Sequence, residues 1–153
     1  MFEIDLMNRQ SLLPIDDGQT RSIVIQTLQA EGISRAEVSI SIVDDATIHE
    51  VNREYLDHDY PTDVISFLYE SHDVHGDPTQ RGLDGEVVVS AETAVRQAEN
   101  YNWRPEQELC LYLVHGLLHL CGYDDQSPED QSRMRDRERA VLQFWNLTPH
   151  YDS

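Results

Sequence analysis

His115-Gly116-Leu117-Leu118-His119-Leu120-Cys121-Gly122-Tyr123-Asp124-Asp125 closes the most apolar helix of the chain, a run that opens at Pro105 and extends to about Cys121. His115 and His119 stand four apart, so a helix projects them from one face, one turn from each other. Around them lie Leu109, Cys110, Leu111, Leu113, Val114, Leu117, Leu118 and Leu120. Two imidazoles among such neighbours are costly to bury unless their nitrogens are satisfied. Zinc satisfies them, because neutral imidazole is one of its ordinary ligands. Gly122, just past the last turn, supplies the left-handed position that reverses the chain. The reversal brings a carboxylate back toward the histidines. Asp125 is the expected third ligand, with Asp124 as the alternative.

The spacing His-x-x-x-His-x-x-Gly-x-x-Asp matches the ligand positions of the metzincin proteases, with Asp in place of their third His. One residue separates this chain from them. A His-Glu-x-x-His protease uses the glutamate as general base, and Gly116 occupies that place here. Peptide hydrolysis by that route has no proton acceptor beside the first histidine.

Outward from this helix, strands and helices alternate. Ile4–Met7 reads as a short strand, and Arg21–Glu31 as a helix capped by Thr20 and stopped by Gly32. Val38, Ile40 and Ile42 alternate with Ser39 and Ser41, the pattern of a half-buried strand over 37–43. Asp44 or Asp45 caps a helix from Ala46 to Leu56. Asp63–Tyr69 is rich in strand formers, and a polar loop holding His72 and His75 is expected over about 70–84. Val87-Val88-Val89 reads as a strand buried on both faces, Ala91–Asn100 as a helix, and Ser127-Pro128-Glu129 as the start of a last helix reaching about Trp145. The fold class is therefore α+β: a small mixed sheet of about four strands packed with about five helices. The metal site lies at the end of the buried central helix, and residues 1–153 form a single domain.

Eleven basic residues, all arginine, stand against 29 acidic ones, a net charge of −18. Such a chain repels polyanions at long range, which excludes a broad nucleic-acid-coating surface and restricts any such role to a local groove. Arg133, Arg135, Arg137 and Arg139 alternate around the last helix with Asp136 and Glu138 between them, a pattern of surface ion pairs. No apolar stretch is long enough to span a bilayer, and the first residues lack the basic-then-apolar order of a signal peptide. Cys110 and Cys121 share one helix about 16 Å apart, too far for a disulfide. Reduced thiols and no membrane segment lead to the expectation of a cytoplasmic protein.

His115-Gly116-Leu117-Leu118-His119-Leu120-Cys121-Gly122-Tyr123-Asp124 resembles the signature of the YbeY family of bacterial rRNA-maturation endoribonucleases, His-Gly-x-Leu-His-Leu-x-Gly-Tyr-Asp-His. Pro61-Thr62-Asp63-Val64-Ile65-Ser66-Phe67 is similar to that family's second motif, and Asp84-Gly85-Glu86-Val87-Val88-Val89-Ser90 to its Gly-Asp-Ile-x-Ile-Ser strand. The resemblance runs from about Val38 to Leu142. It implies an enzyme, a zinc-dependent hydrolase that cleaves single-stranded RNA with one Zn2+ and matures the 3′ end of small-subunit rRNA. Ribosome quality control is part of the same role. The implied partners are the small ribosomal subunit and a ribosomal or assembly-factor protein. The chain departs from the pattern twice. Asp125 stands where the family usually has His, and Leu56 where it has an arginine ahead of the Pro-Thr motif. His58 is the only group left there with a possible positive charge. His58 and Asp63 are the candidate catalytic residues; Thr62 and Ser66 are candidates to line the cleft.

Overall fold

The computed structural model describes residues 1–152. They form β1 (Phe2–Asn8), α1 (Asp17–Ala30), β2 (Ile33–Val43), α2 (Asp45–Leu56), β3 (Val64–Asp73), β4 (Arg81–Ser90), α3 (Ala91–Asn100), α4 (Pro105–Leu120) and α5 (Pro128–Leu142). Short 3-10 turns follow at Val74–Gly76, Gln143–Trp145 and His150–Asp152. The sheet runs β1-β2-β4-β3, with β1, β2 and β4 parallel and β3 antiparallel to β4. The expected α+β fold with a four-stranded mixed sheet is the observed one. Among the described residues no helix is long and apolar enough to cross a membrane.

The alternation in β2 sends Val38, Ile40 and Ile42 to one face, where they join Val87, Val89 and the apolar sides of α1 and α4. Val43 and Val88 point the other way, into a smaller cluster with Ile48 of α2 and Ile65 of β3. Val87-Val88-Val89 is thus buried on both faces. Helix α4 is enclosed along most of its length, as an almost wholly apolar helix must be. Pro105 opens it, and the Gln107 side chain accepts from the Arg104 N–H at 2.9 Å. It closes in a Schellman turn. Gly122 sits at φ 106°, with Tyr123 N–H bonded to Leu118 O and Gly122 N–H to His119 O.

Several element bounds differ from the sequence expectation. Helix α1 starts four residues before Arg21, because the Asp16 carboxylate accepts from Gln19 N–H at 2.9 Å and takes the capping place expected of Thr20. Helix α5 stops at Leu142, and a 3-10 turn carries the chain to Trp145. The largest correction concerns the expected loop over 70–84. β3 continues to Asp73 and β4 begins at Arg81, so much of that stretch is a hairpin, with His72 opposite Gly82. Glu70-Ser71-His72-Asp73 has poor intrinsic strand preference. Pairing with β4 overrides it, and a polar edge strand shows no hydrophobic alternation to read.

Candidate metal centre

Helix α4 delivers His115 and His119 on its last turns, with Nε2 atoms 3.2 Å apart. Their Nδ1 atoms are both engaged outward, His119 donating to Tyr123 O at 2.9 Å and His115 to Glu138 Oε1 at 2.7 Å. With the ring protons committed to Nδ1, the two Nε2 lone pairs converge on the same space. Lone pairs so placed repel unless a proton or a metal ion lies between them. Asp125 Oδ2 stands 3.6 Å from each Nε2. It is returned there by the left-handed Gly122 turn, while Asp124 turns aside to accept from Asp125 N–H at 2.7 Å.

A tetrahedral zinc with bonds of ~2.0–2.1 Å separates its ligands by about 3.3 Å. The spacings of 3.2, 3.6 and 3.6 Å bracket that value, so the three residues fit the ion. They form the one His/Cys/Asp/Glu group of metal-holding geometry among the described residues. Burial disfavours a charged His115, yet the bond to Glu138 and the charges of Glu138, Asp63 and Asp125 outweigh it and raise its pKa above 6.5. The surroundings of His115 attract a positive charge. Burial pushes the Cys110 and Cys121 thiols up to about 12, so neither offers a thiolate.

The centre opens into a groove of about 560 Å3 between β3, α3, α4 and α5, with His115 and Asp125 on its wall. Thr62 and Asp63 line the same groove. The Asp63 carboxylate accepts from Val64 N–H at 2.8 Å and from the Thr62 hydroxyl at 3.3 Å. Ser66 donates instead to Gly116 O at 2.8 Å, which ties β3 to α4. His58 is not brought to the groove wall. It stacks on Tyr60 at 5.4 Å in the exposed loop after α2. Leu56, at the end of α2, is also exposed.

Two features of the site were not read from the sequence. A Cβ on Gly116 would lie 2.7 Å from Val87 Cγ1 and 2.9 Å from Val64 Cγ2, so the packing of α4 on the sheet leaves no room for a side chain there. Glu138 is 4% exposed and bonded to His115, not on the ion-paired surface of α5. The available signal was its spacing from Met134, Val141 and Leu142, which places it on the buried face of that helix. The neighbouring arginines do form the expected ion pairs, Arg133 with Asp130 and Arg139 with Asp136.

Residues 5–146 match the family model described as endoribonuclease YbeY. An endoribonuclease YbeY of Rhodopirellula baltica is 48% identical over 122 residues, covering 78% of this chain and 59% of the relative. The chain therefore spans about three fifths of that relative's length. Its counterpart in Clostridioides difficile is 37% identical over 151 residues, covering 96% and 99% of the two chains. The solution structure of TM1509 from Thermotoga maritima superposes with a TM-score of 0.59 at 25% identity, covering 100% of this chain and 97% of that one.

Proposed function

This chain belongs to the endoribonuclease YbeY family, and from that premise we propose that it is a single-domain, zinc-dependent endoribonuclease that cuts single-stranded RNA. Its task would be maturation of the small-subunit rRNA 3′ end and ribosome quality control in the cytoplasm, with the small subunit and an assembly protein as partners. One observation carries the metal-dependent reading. Three residues, His115, His119 and Asp125, form the ligand group, and two of them, His115 and Asp125, line an open groove. A structural zinc is closed by four protein ligands, whereas a catalytic one keeps a position free.

Bound zinc would lower the pKa of a water and offset charge on phosphoryl oxygens. The chain's own residues would do the rest. His115 and His119 present lone pairs at a fixed spacing, and Asp125 adds one negative charge to the ligand set. Asp63 stands on the same wall as a carboxylate able to take a proton from an attacking water, or to orient it. His58, on its exposed loop, would meet RNA only outside the groove. The test is cleavage of single-stranded against duplex RNA by zinc-loaded protein, beside His119→Ala purified identically. Intact single-stranded RNA with zinc retained would favour the second reading, a non-catalytic assembly factor with a structural zinc. The exposed Leu56, where the family has an arginine, is the observation on that side.

Arg135 is the substrate-binding candidate. It lines the groove with its guanidinium 5.0 Å above the Tyr151 ring. Arg96, on the same groove, is committed to Asp45 at 2.9 Å. Each phosphate neutralised on a single strand contributes about 0.7 to the slope of log K against log salt. Arg135→Ala should weaken binding of a non-cleavable single-stranded RNA and flatten that slope by about 0.7–1. Fluorescence anisotropy across a salt series reads both. An unchanged slope removes Arg135 from the interface.

A further inference from the structure

The C-terminal turn at His150–Asp152 reaches back to the metal centre. Tyr151 donates its hydroxyl to Glu138 Oε2 at 2.9 Å, and the other oxygen of that carboxylate accepts from His115 Nδ1 at 2.7 Å. A continuous hydrogen-bonded line therefore runs from the end of the chain to a metal ligand. We propose that Glu138 and Tyr151 are positioning residues of the metal site. Glu138 holds the tautomer and plane of His115, and Tyr151 holds Glu138. The inference rests on the metal reading of His115, His119 and Asp125, and is independent of RNA cleavage.

Three observations support it. Glu138 is a nearly fully buried acid, and each of its oxygens has one of these two partners. A buried carboxylate that loses one partner bears the desolvation cost and gains a rotation that its other partner must follow. The Cα of Glu138 is itself fixed, because Met134, Val141 and Leu142 of the same helix are buried in the core. The turn that delivers Tyr151 is anchored independently. His150 stacks on Tyr101 at 3.7 Å with planes 3° apart, and its Nε2 lies 3.2 Å from Glu108 Oε1. The Arg135 and Arg139 guanidiniums lie over the Tyr151 ring, 5.0 and 5.6 Å from its centroid. Outer partners of this kind typically account for 10- to 100-fold in metal affinity, because they set ring orientation and raise ligand basicity.

The experiment uses the full chain and reads Zn2+ affinity by competition with a chelator, together with the visible absorption of the Co2+-substituted protein. Glu138→Gln keeps an acceptor for His115 but removes the charge, and should weaken Zn2+ by about 10- to 100-fold. Tyr151→Phe removes one hydroxyl, and should weaken Zn2+ by about 3- to 10-fold, the range of one net hydrogen bond, with a shifted Co2+ spectrum. Tyr69→Phe removes a bond of similar length, to Glu86 at 2.8 Å on the exposed hairpin, and should change neither. Wild-type affinity and an unshifted Co2+ spectrum in Tyr151→Phe overturn the proposal. A lower melting temperature of that metal-free variant, with affinity unchanged, overturns it equally by leaving the tyrosine a purely structural role. A wild-type chain that holds no Zn2+ would bring down the metal reading itself as well.

Discussion

Asp125→Ala, purified beside the wild-type chain, is expected to lose its zinc and all RNA cleavage above background. The effect should exceed the 10- to 100-fold cost of losing an outer partner, because a ligand is removed outright from a set of three. The Asp125 side chain is 41% exposed, so the fold should survive the change. Asp124→Ala is the matched control. Its carboxylate caps the loop by accepting from Asp125 N–H at 2.7 Å, and its loss should loosen the loop without stripping the metal. Asp125→His should keep zinc, since an imidazole nitrogen serves the ion as well as a carboxylate oxygen. Metal content of the four proteins checks all three expectations. Zinc retained in Asp125→Ala and lost in Asp124→Ala would move the third ligand to Asp124.

Substitution of Gly116 should produce the largest effect on stability. An added Cβ meets the branched side chains of Val87 and Val64 at 2.7 and 2.9 Å, and Val87 is fully buried on a central strand. Overpacking of this kind costs about 1–3 kcal/mol, against a gain of ~1 kcal/mol for replacing glycine in a helix. Gly116→Ala should therefore lose up to about 2 kcal/mol net. In a chain of this length that lowers the melting temperature by several degrees, about 2–4 °C per kcal/mol. Gly116→Glu should be far worse, because the carboxylate would enter the α4–sheet interface with no partner. Thermal unfolding decides it. A Gly116→Ala chain as stable as wild type would mean that β3 and β4 shift cheaply away from α4. Gly116 thus has a packing reason as well as a chemical one. The glutamate base of a zinc protease cannot be built into this helix without separating it from the sheet.

Much of the centre was legible along the chain because its signals are local. Pro105 and Gly122 mark the ends of α4 through backbone conformation alone, and a spacing of four places His115 and His119 on one face whatever surrounds the helix. Alternation in β2 and the triple valine of β4 likewise announce strands, since burial at every second residue needs no knowledge of the partner. The capping residue of α1 escaped the same reasoning. Asp16 and Thr20 are both competent caps, and only the path of the preceding loop selects between them.

The remaining features depend on segments distant in sequence. β3 extends through Asp73 because β4 offers it hydrogen bonds, which the residues of β3 do not encode. Asp63 reaches the groove and His58 does not, although only five positions separate them, because Asp63 directly precedes β3, which packs on α4, whereas His58 lies in the exposed loop after α2. Glu138 meets His115 across 23 residues, and Tyr151 meets Glu138 from the far end of the chain. From the sequence alone came helix α4, its two histidines, its turn and the fold class, since capping, left-handed glycine and periodicity act within a few residues. The tertiary structure alone decided which acid holds His115 and why residue 116 has no side chain. Those outcomes rest on which distant surfaces pack together, and no local preference specifies that.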